Sequence, residues 1–454
     1  MRLNFRRKKV PKTEEHAPKV ENGFSAVSVM GQSERESYKP ILMLLESQEG
    51  KIYLHWDKPA LEYKKCGICF PVVKLQLCGT ELTIVSRDGM QESDVVDTID
   101  MSDANPCSHL FISDNELECS NTSSLVAEDP KLLVRVQRAI LLLQFERLSL
   151  YKSLTATLIS SFGLNIPDIH LILQNTYPYE DWCYIRVDGS WMKVWAQVDT
   201  FQKAALKSMP RSVKFFKDNK SLTKKNLVCY IQDSGIVDEV FFVRDPFPDS
   251  DVSTCKVEEM DSFLAHINTI KYMGEVHWAT TSPSVNNSRS SSISGGSPPS
   301  PSKRSAGVPK AINTHRRTLS HLSTWSNLSG DSSEQLKPDA DVSGLLIKPI
   351  PHGGIHHMES MVRFVIPMYD CLGLYGRPFG FKLDHEDIDS LLFGLPKLPN
   401  IDYMAQEEFE MFLDQSSDTP TAWRDLKTFL SSRMKDPSRS QMHFKTLTYA
   451  ASIS

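Results

Sequence analysis

The sequence predicts an α+β protein in which a group of antiparallel strands, closed by one helix, occurs twice. Short apolar segments separated by Asp, Ser, Asn and Gly turns fill residues 41–112 and 182–244, as expected for hairpins. Apolar residues at helical spacing follow each group, over 129–163 and over about 256–273. Such helices close an open corner of a curved sheet by burying an apolar stripe.

The first predicted domain covers residues 40–163. Its predicted strands are Ile41–Leu45, Lys51–Trp56, Val72–Leu77, Glu81–Val85, Val95–Ile99 and Leu110–Ile112. Asp129-Pro130 is a helix start, because proline is favourable at the first helical position, and Gly163 is a stop. The apolar stripe of this helix comprises Leu132, Val136, Ile140, Leu143 and Leu150.

The second predicted domain covers residues 164–278. Its predicted strands are Trp182–Val187, Trp191–Val198, Val213–Lys217, Leu227–Gln232 and Val240–Arg244. Its closing helix is predicted over about 256–273, from the spacing of Val257, Met260, Leu264, Ile267 and Lys271.

The remaining segments differ in composition and in their pattern of apolar residues. Residues 1–39 form a predicted disordered basic tail. Serine occupies 17 of the 62 positions in 279–340, which predicts a disordered linker because so little apolar surface cannot offset the ordering entropy. Residues 341–435 are predicted to be a mostly helical segment that docks on the two domains, with helices around 403–413 and 422–435. Residues 436–454 form a predicted tail.

Composition sets limits on function. The formal net charge of −5 argues against a protein that coats nucleic acid, so no nucleic-acid partner is expected. The most apolar run, residues 132–162, is interrupted by charges too often for a membrane span. The N-terminus lacks the apolar region of a secretory signal. Nine scattered cysteines do not form a disulfide pattern, which favours a reducing, cytoplasmic compartment.

Motifs for catalysis and metal binding are missing from the sequence. There is no GxSxG, HExxH, P-loop or GxGxxG, so no enzyme and no cofactor are predicted. Cys66 and Cys69 form a CxxC without a second pair, and His352, His356 and His357 surround a turn without a spaced carboxylate or thiol. We interpret both groups as structural and predict no metal site.

Three blocks resemble one known family. They are LLLQFERLSLYKSLTATLISS at 141–161, WCYIRVDGSWMKVWAQV at 182–198 with SVKFFKDNKSLTKKNLVCYI at 212–231, and ESMVRFVIPMYDCLGLYGRP at 359–378. In this order they resemble a fungal family of tandem pleckstrin-homology-like (PH-like) proteins that includes factors associated with the Ccr–Not deadenylase complex. The resemblance implies two PH-like barrels, each made of antiparallel strands closed by a C-terminal helix.

The resemblance also implies a function. In length the chain is similar to a small bud-neck member of the family that helps a Rho-type GTPase and its exchange factor localise during cytokinesis. We therefore expect a non-enzymatic adaptor in the cytoplasm, at the bud neck and cell cortex, with an exchange factor or cortical division-site proteins as partners. Two alternatives stay open: a Ccr–Not-associated factor in mRNA turnover, and a phosphoinositide- or membrane-binding module.

Basic residues cluster at two places. One cluster is N-terminal and comprises Arg2, Arg6, Arg7, Lys8 and Lys9; the other is a predicted hairpin loop with Lys217, Lys220, Lys224 and Lys225. Both are candidate patches for weak contact with an anionic membrane or an acidic partner, since each cation near such a surface contributes about 1 kcal/mol. For the N-terminal cluster, a nuclear-import patch and a solvated tail are the alternatives.

Two linker serines are predicted phosphorylation sites. Ser320 follows His315 and Arg317 at the spacing of the HxRxxS pattern of NDR/LATS-type kinases. Ser300 lies in an SPxK sequence typical of cyclin-dependent kinase substrates. A phosphate at either site would add about −1.5 to −2 charge next to nearby arginines and lysines.

Overall fold

The structure is a computed structural model of the chain. It describes residues 32–87, 94–102, 112–113, 115–120, 122–200, 211–232, 238–245, 263–264, 266–279, 340–341, 344–395, 411–413 and 422–435. The predicted linker lies outside these residues except at its ends. The architecture is α+β with a PH-like fold, which confirms the predicted fold class.

The first sheet has eight antiparallel strands. They are β1 (Ile52–Asp57), β2 (Glu62–Lys65), β3 (Ile68–Cys78), β4 (Glu81–Arg87), β5 (Asp94–Asp100), β6 (Ile112–Ser113), β7 (Glu116–Ser120) and β8 (Ser123–Val126). Their order is β5-β4-β3-β2-β8-β7-β6, with β1 also paired to β3. The strand β3 joins the two halves of this sheet, because its first half pairs with β2 and its second half with β1 and β4.

Helix α1 (Gln32–Glu49) corrects the prediction for this part of the chain. The predicted strand Ile41–Leu45 and the last residues of the predicted tail are both helical. Tyr38, Ile41, Leu42 and Leu45 are buried, and this spacing is that of one helix face. The ILMLL run alone is compatible with a buried strand or a buried helix, and packing on the next helix decides in favour of the helix.

Helix α2 (Pro130–Gly163) is the predicted closing helix of the first sheet, with the predicted start and end. The Asp129 side chain accepts a hydrogen bond from the Lys131 backbone N–H, as an N-cap does. The helix has 34 residues and is buried around nearly its whole circumference. A helix with this pattern is enclosed by protein on all sides.

The second sheet has nine antiparallel strands. They are β9 (Tyr179–Val187), β10 (Ser190–Asp199), β11 (Ser212–Phe216), β12 (Leu227–Gln232), β13 (Glu239–Arg244), β14 (Ile267–Met273), β15 (Val276–Trp278), β16 (Ala340–Asp341) and β17 (Leu345–Pro349). Their order is β13-β14-β17-β9-β10-β11-β12-β15-β16. The short helix α3 (Ile169–Gln174) lies between α2 and β9. The five strands predicted between 182 and 244 are confirmed with small shifts at their ends.

The helix predicted over about 256–273 is wrong for its second half; in its first half only residues 263 and 264 are described, and they are helical. Residues Ile267–Met273 form the strand β14, which pairs with β13 on one side and with β17 on the other. Ile270, Ile347 and Ile185 lie side by side in this core. Val257 and Met260 lie outside the described residues.

The helix that closes the second sheet is instead α4 (His357–Leu372). It contacts β10, β11, β14 and β17 and buries Met358, Met361, Val362, Phe364 and Val365, among others. The strand β17 and this helix come from the segment that we assigned to a separate docking unit from residue 341 onwards. They are integral parts of the second sheet and its core, so the chain before residue 280 and the chain from residue 340 onwards belong to one structural unit.

The C-terminal helix α5 (Trp423–Met434) confirms the helix predicted over 422–435. It packs on α2, where the Trp423 ring lies 6.1 Å from the Phe145 ring, and Leu426 and Leu430 are buried. Of the helix predicted at 403–413, only residues 411–413 are described, and they are helical. No described helix has the length and apolar character that a membrane crossing requires.

Candidate interaction surfaces

The two PH-like units share helix α2. On its first-unit side, the Glu146 carboxylate accepts hydrogen bonds from the Tyr53 hydroxyl at 2.6 Å and from the Lys51 ammonium at 2.9 Å. On its second-unit side, the Thr155 hydroxyl accepts a hydrogen bond of 2.8 Å from the Phe242 backbone N–H. A single helix therefore forms part of both cores, and the two units are joined through a packed interior.

A buried polar cluster centred on Glu239 reinforces this joint. Its carboxylate lies 3.0 Å from Lys152 of α2, 2.5 Å from Lys427 of α5 and 2.8 Å from the Tyr375 hydroxyl. Tyr375 also accepts a hydrogen bond from the Val240 backbone N–H, and its ring lies 4.9 Å from the Lys152 ammonium. Four separate segments of the chain thus meet at one carboxylate.

The charged groups in this cluster shift each other's pKa values. Burial acts to raise the pKa of Glu239, but the Lys152 and Lys427 ammonium groups outweigh it and hold that pKa at about 2. Burial lowers the pKa of Lys152 to about 8, against the opposing effect of the Glu239 carboxylate. At neutral pH the Glu239 carboxylate is paired with the Lys152 and Lys427 ammonium groups. Their short distances and the hydrogen bond from Tyr375 offset the free-energy cost of removing these charges from water.

The predicted basic loop of the second unit connects β11 and β12. Lys217, Lys220, Lys224 and Lys225 are all exposed, and none forms an ion pair with another described residue. The loop is held by Asp218, which accepts hydrogen bonds from the backbone N–H groups of residues 220 and 221 at 2.9 and 3.0 Å. The loop therefore presents four exposed lysines, while its own carboxylate is engaged with backbone.

The turn between β9 and β10 lies at the same end of the sheet as this loop. Strands β9 to β12 form a meander, so their first and third connections are on one side. Asp188 and Gly189 make that turn with φ values of 47° and 79°, in the left-handed region. Lys193, which is exposed, follows shortly after in β10 and lies near the start of the basic loop because Trp195 pairs with Phe216.

A second surface lies on the outer side of strands β17, β9 and β10, opposite the buried core side that contains Cys183, Ile185 and Val194. We call it the aromatic face. Its residues are Trp182, Tyr184, Arg186, Trp191, Lys193, Trp195 and Lys348. All seven are partly or fully exposed.

The strand register arranges the aromatic face in rows. Trp191 is opposite Arg186, and Trp195 is opposite Trp182, whose ring it meets edge to face at 5.4 Å. Tyr184 lies between Lys193 on one neighbouring strand and Lys348 on the other. Cation and aromatic ring therefore alternate across three strands.

Close cation–ring contacts hold this arrangement. The Lys348 ammonium lies 4.5 Å from the Trp191 ring, and the Arg186 guanidinium lies 5.7 Å from the same ring. The Lys193 ammonium lies 5.2 Å from the Trp182 ring. Contacts of this kind contribute about 0.5–1 kcal/mol each at exposed sites.

Several predicted site residues lie outside the described residues. They are the phosphorylation candidates Ser300 and Ser320 and the N-terminal basic residues Arg2, Arg6, Arg7, Lys8 and Lys9. These assignments stay predictions.

The thiol and imidazole groups considered for metal binding have individual structural positions. Cys66 and Cys69 are exposed free thiols at the β2–β3 hairpin. His352 lies 2.6 Å from the Asp181 carboxylate, His356 caps α4 by accepting the Met358 backbone N–H, and burial lowers the pKa of His357 to about 4. Among the described residues, no group of three or more such side chains is arranged to hold a metal ion.

The aromatic face does not emerge as a unit from the sequence predictions. Arg186 and Lys193 by themselves match no phosphoinositide pattern. The alternation of Trp182, Tyr184 and Arg186 with the buried Cys183 and Ile185 is a readable signal for an outward row in β9. The contribution of Lys348 has no local signal, because its strand comes from more than 150 residues further along the chain.

Two antiparallel sheets, each closed by a helix, define this chain as a tandem PH-like protein. A model of the family described as "Fungal PH-like domain" matches residues 309–393. The chain is 33% identical over 411 residues to "Uncharacterized protein YJL016W" of Saccharomyces cerevisiae, covering 83% of this chain and 70% of that protein. The chain therefore belongs to the fungal PH-like family.

A second relative has a named role. The chain is 23% identical over 273 residues to "CCR4-NOT transcriptional complex subunit CAF120" of Saccharomyces cerevisiae, covering 60% of this chain and 19% of that protein. The similarity thus involves a minor part of that longer subunit. No solved structure matches the chain significantly.

Proposed function

We propose that the chain is a non-enzymatic adaptor that acts through protein partners. The observation that carries this proposal is the fusion of two PH-like units through α2 and the Glu239 cluster. A rigid double unit holds its exposed surfaces at a fixed separation and orientation, which suits the positioning of partners relative to each other. Surfaces that are fixed before binding also lose little conformational entropy on association.

The specific role that we propose is to direct Rho-type GTPase signalling, or the localisation of its exchange factor, at the division site during cytokinesis. This role rests on the family resemblance of the three sequence blocks. Its test is a fluorescent fusion of the full chain followed through one cell cycle, together with co-purification of the exchange factor. A signal at the bud neck with recovery of the exchange factor is expected. A diffuse signal throughout cytokinesis would rule out this role.

Similarity to the CAF120 subunit favours a second candidate, an association with the Ccr–Not complex in mRNA turnover. The same fusion protein distinguishes the two roles. Recovery of deadenylase subunits without a bud-neck signal would favour this second candidate over the first.

The exposed β11–β12 lysines favour a third candidate, weak binding to anionic membranes. Such binding is compatible with an adaptor at the cell cortex, since it would concentrate the protein where its partners are. It is tested directly with vesicles, as described in the Discussion.

A further inference from the structure

We infer that the aromatic face binds an extended acidic segment of a partner protein, in which acidic and apolar side chains alternate at every second position and therefore lie on the same side of the segment. This inference rests on the proposed adaptor function and assigns a surface and a partner chemistry to it.

The aromatic face and its two adjacent loops have an excess of positive charge. This part of the second unit has seven cationic side chains and four acidic ones. The cationic residues are Arg186, Lys193, Lys217, Lys220, Lys224, Lys225 and Lys348, and the acidic residues are Glu180, Asp188, Asp218 and Asp245. The whole chain has a net charge of −5, so positive charge is concentrated here against the overall balance. A concentrated field of this sign attracts an acidic partner and accelerates its association.

Three of the four acidic residues already have partners in the chain. Glu180 accepts a hydrogen bond of 2.7 Å from the Gln197 side-chain amide. Asp218 accepts hydrogen bonds from the backbone of its own loop, and Asp245 lies 2.5 Å from the Lys348 ammonium. Asp188 lies at the tip of the β9–β10 turn, where it is exposed. Lys193 lies over the Trp182 ring and forms no ion pair with a described residue. The cation at the centre of the aromatic face is therefore available to a carboxylate from a partner.

The spacing of the aromatic face fits an extended peptide. Side chains on one side of a strand repeat every second residue, about 6.6–7 Å apart. The rows of the aromatic face therefore have the same spacing as the side chains on one side of an extended peptide. Tryptophan and arginine are the residue types that most often dominate the energy of protein interfaces. Here three tryptophans and one arginine lie on a surface formed by three strands.

The same geometry favours a peptide over a lipid surface. The three tryptophans lie in the sheet, partly buried and held by ring contacts, whereas insertion into a bilayer requires apolar side chains that project from a loop. The projecting element at this end is the β11–β12 loop, which is rich in lysine and has no aromatic residue between 217 and 226.

The test uses the purified full chain and a short fluorescein-labelled peptide in which glutamate and phenylalanine alternate at every second position with serine between them, measured by fluorescence anisotropy. We expect saturable binding. The variants Trp191→Ser and Lys193→Glu should each weaken it about tenfold or more, as expected for central interface residues. Trp191→Phe, which keeps an aromatic ring, should retain most of the affinity. A peptide with lysine in place of glutamate should bind at least about tenfold more weakly because the charges repel.

The matched control is Lys39→Glu, which makes the same charge change at an exposed position of α1 in the other unit. It should leave peptide binding within about twofold, since Lys39 belongs to α1 and is not part of the aromatic face or its adjacent loops. Circular dichroism of each variant establishes that the fold is retained. Absence of binding to the glutamate–phenylalanine peptide, or equal loss of binding in Lys39→Glu, would overturn the inference.

A parallel measurement with phosphatidylserine-containing vesicles separates the two classes of ligand. If vesicle binding is lost in Trp191→Ser while the peptide does not bind, the aromatic face is a lipid site and the inference is wrong. The proposed adaptor function is tested separately by the localisation of the unsubstituted protein. Normal localisation with failed peptide binding would overturn the inference and leave the proposed function in place.

Discussion

Glu239 in strand β13 and Lys152 in helix α2 form an ion pair of 3.0 Å in which both side chains are at most 2% exposed. The two residues belong to different PH-like units, so this contact ties the closing helix of the first unit to the sheet of the second. Ion pairs of this kind contribute little net stability when intact, but loss of one partner leaves an uncompensated buried charge.

Glu239→Gln should therefore destabilise the whole chain. The substitution keeps the shape of the side chain and removes the charge that compensates Lys152 and Lys427. We expect a loss of about 3–5 kcal/mol in the free energy of unfolding, measured by chemical denaturation. The double variant Lys152→Met with Glu239→Gln should lose less than the sum of the two single losses, with a coupling of about 0.5–3 kcal/mol. Additive losses would show that the two side chains do not interact energetically.

Acid should destabilise the protein through the same carboxylate. The pKa of Glu239 is about 2 in the folded chain and 4.5 for an unperturbed glutamate, so its stabilising contribution is present above pH 4.5. The unfolded chain binds the proton first as the pH falls, and the contribution is lost between about 4.5 and 2. Thermal melts over this range should show a smaller decrease in melting temperature for Glu239→Gln than for the unsubstituted protein. Parallel curves would contradict this assignment.

The exposed lysines of the β11–β12 loop should determine any binding to anionic vesicles. Lys220→Glu combined with Lys224→Glu should weaken binding at least about fivefold per residue, because each cation near the surface contributes about 1 kcal/mol. Sedimentation with phosphatidylserine vesicles at two salt concentrations measures this, and added salt should weaken binding of the unsubstituted chain. Unchanged binding in the double variant would exclude this loop as the membrane contact.

Phosphorylation of Ser320 is predicted to regulate localisation. Ser320→Ala should change the time at which the tagged protein reaches the division site, with no change in melting temperature. Mass spectrometry of protein from dividing cells measures the modification, and Ser300 provides a second site for comparison. Ser320 unmodified through mitosis and cytokinesis would remove this hypothesis.

Local signals in the sequence predicted much of the fold. The cap at Asp129, the proline after it and the long apolar repeat determine where α2 begins and ends. The hairpins of the second unit follow from the alternation of buried and exposed residues around the Asp188-Gly189 turn. These features depend on neighbours in the chain, and tertiary structure did not alter them.

Other elements depended on partners distant in sequence. In β14, Ile267 and Lys271 have a helical spacing, but Ile270 and Tyr272 are needed in the core next to β13 and β17, and strand pairing prevails. Burial of α2 on both sides was also unpredictable, since its second partner, β13, is almost 80 residues further along the chain. The aromatic face also depends on a partner distant in sequence, because Lys348 is in β17, which follows the serine-rich segment and pairs with β9.

The two PH-like units form one body around the shared helix α2. Differential scanning calorimetry of the full chain and of Leu143→Asp, which places a carboxylate at a fully buried position of that helix, tests it most directly. We expect one cooperative transition for the unsubstituted chain, with equal calorimetric and van't Hoff enthalpies, and loss of this transition as a whole in Leu143→Asp. Two separate transitions, of which Leu143→Asp removes only one, would contradict the claim.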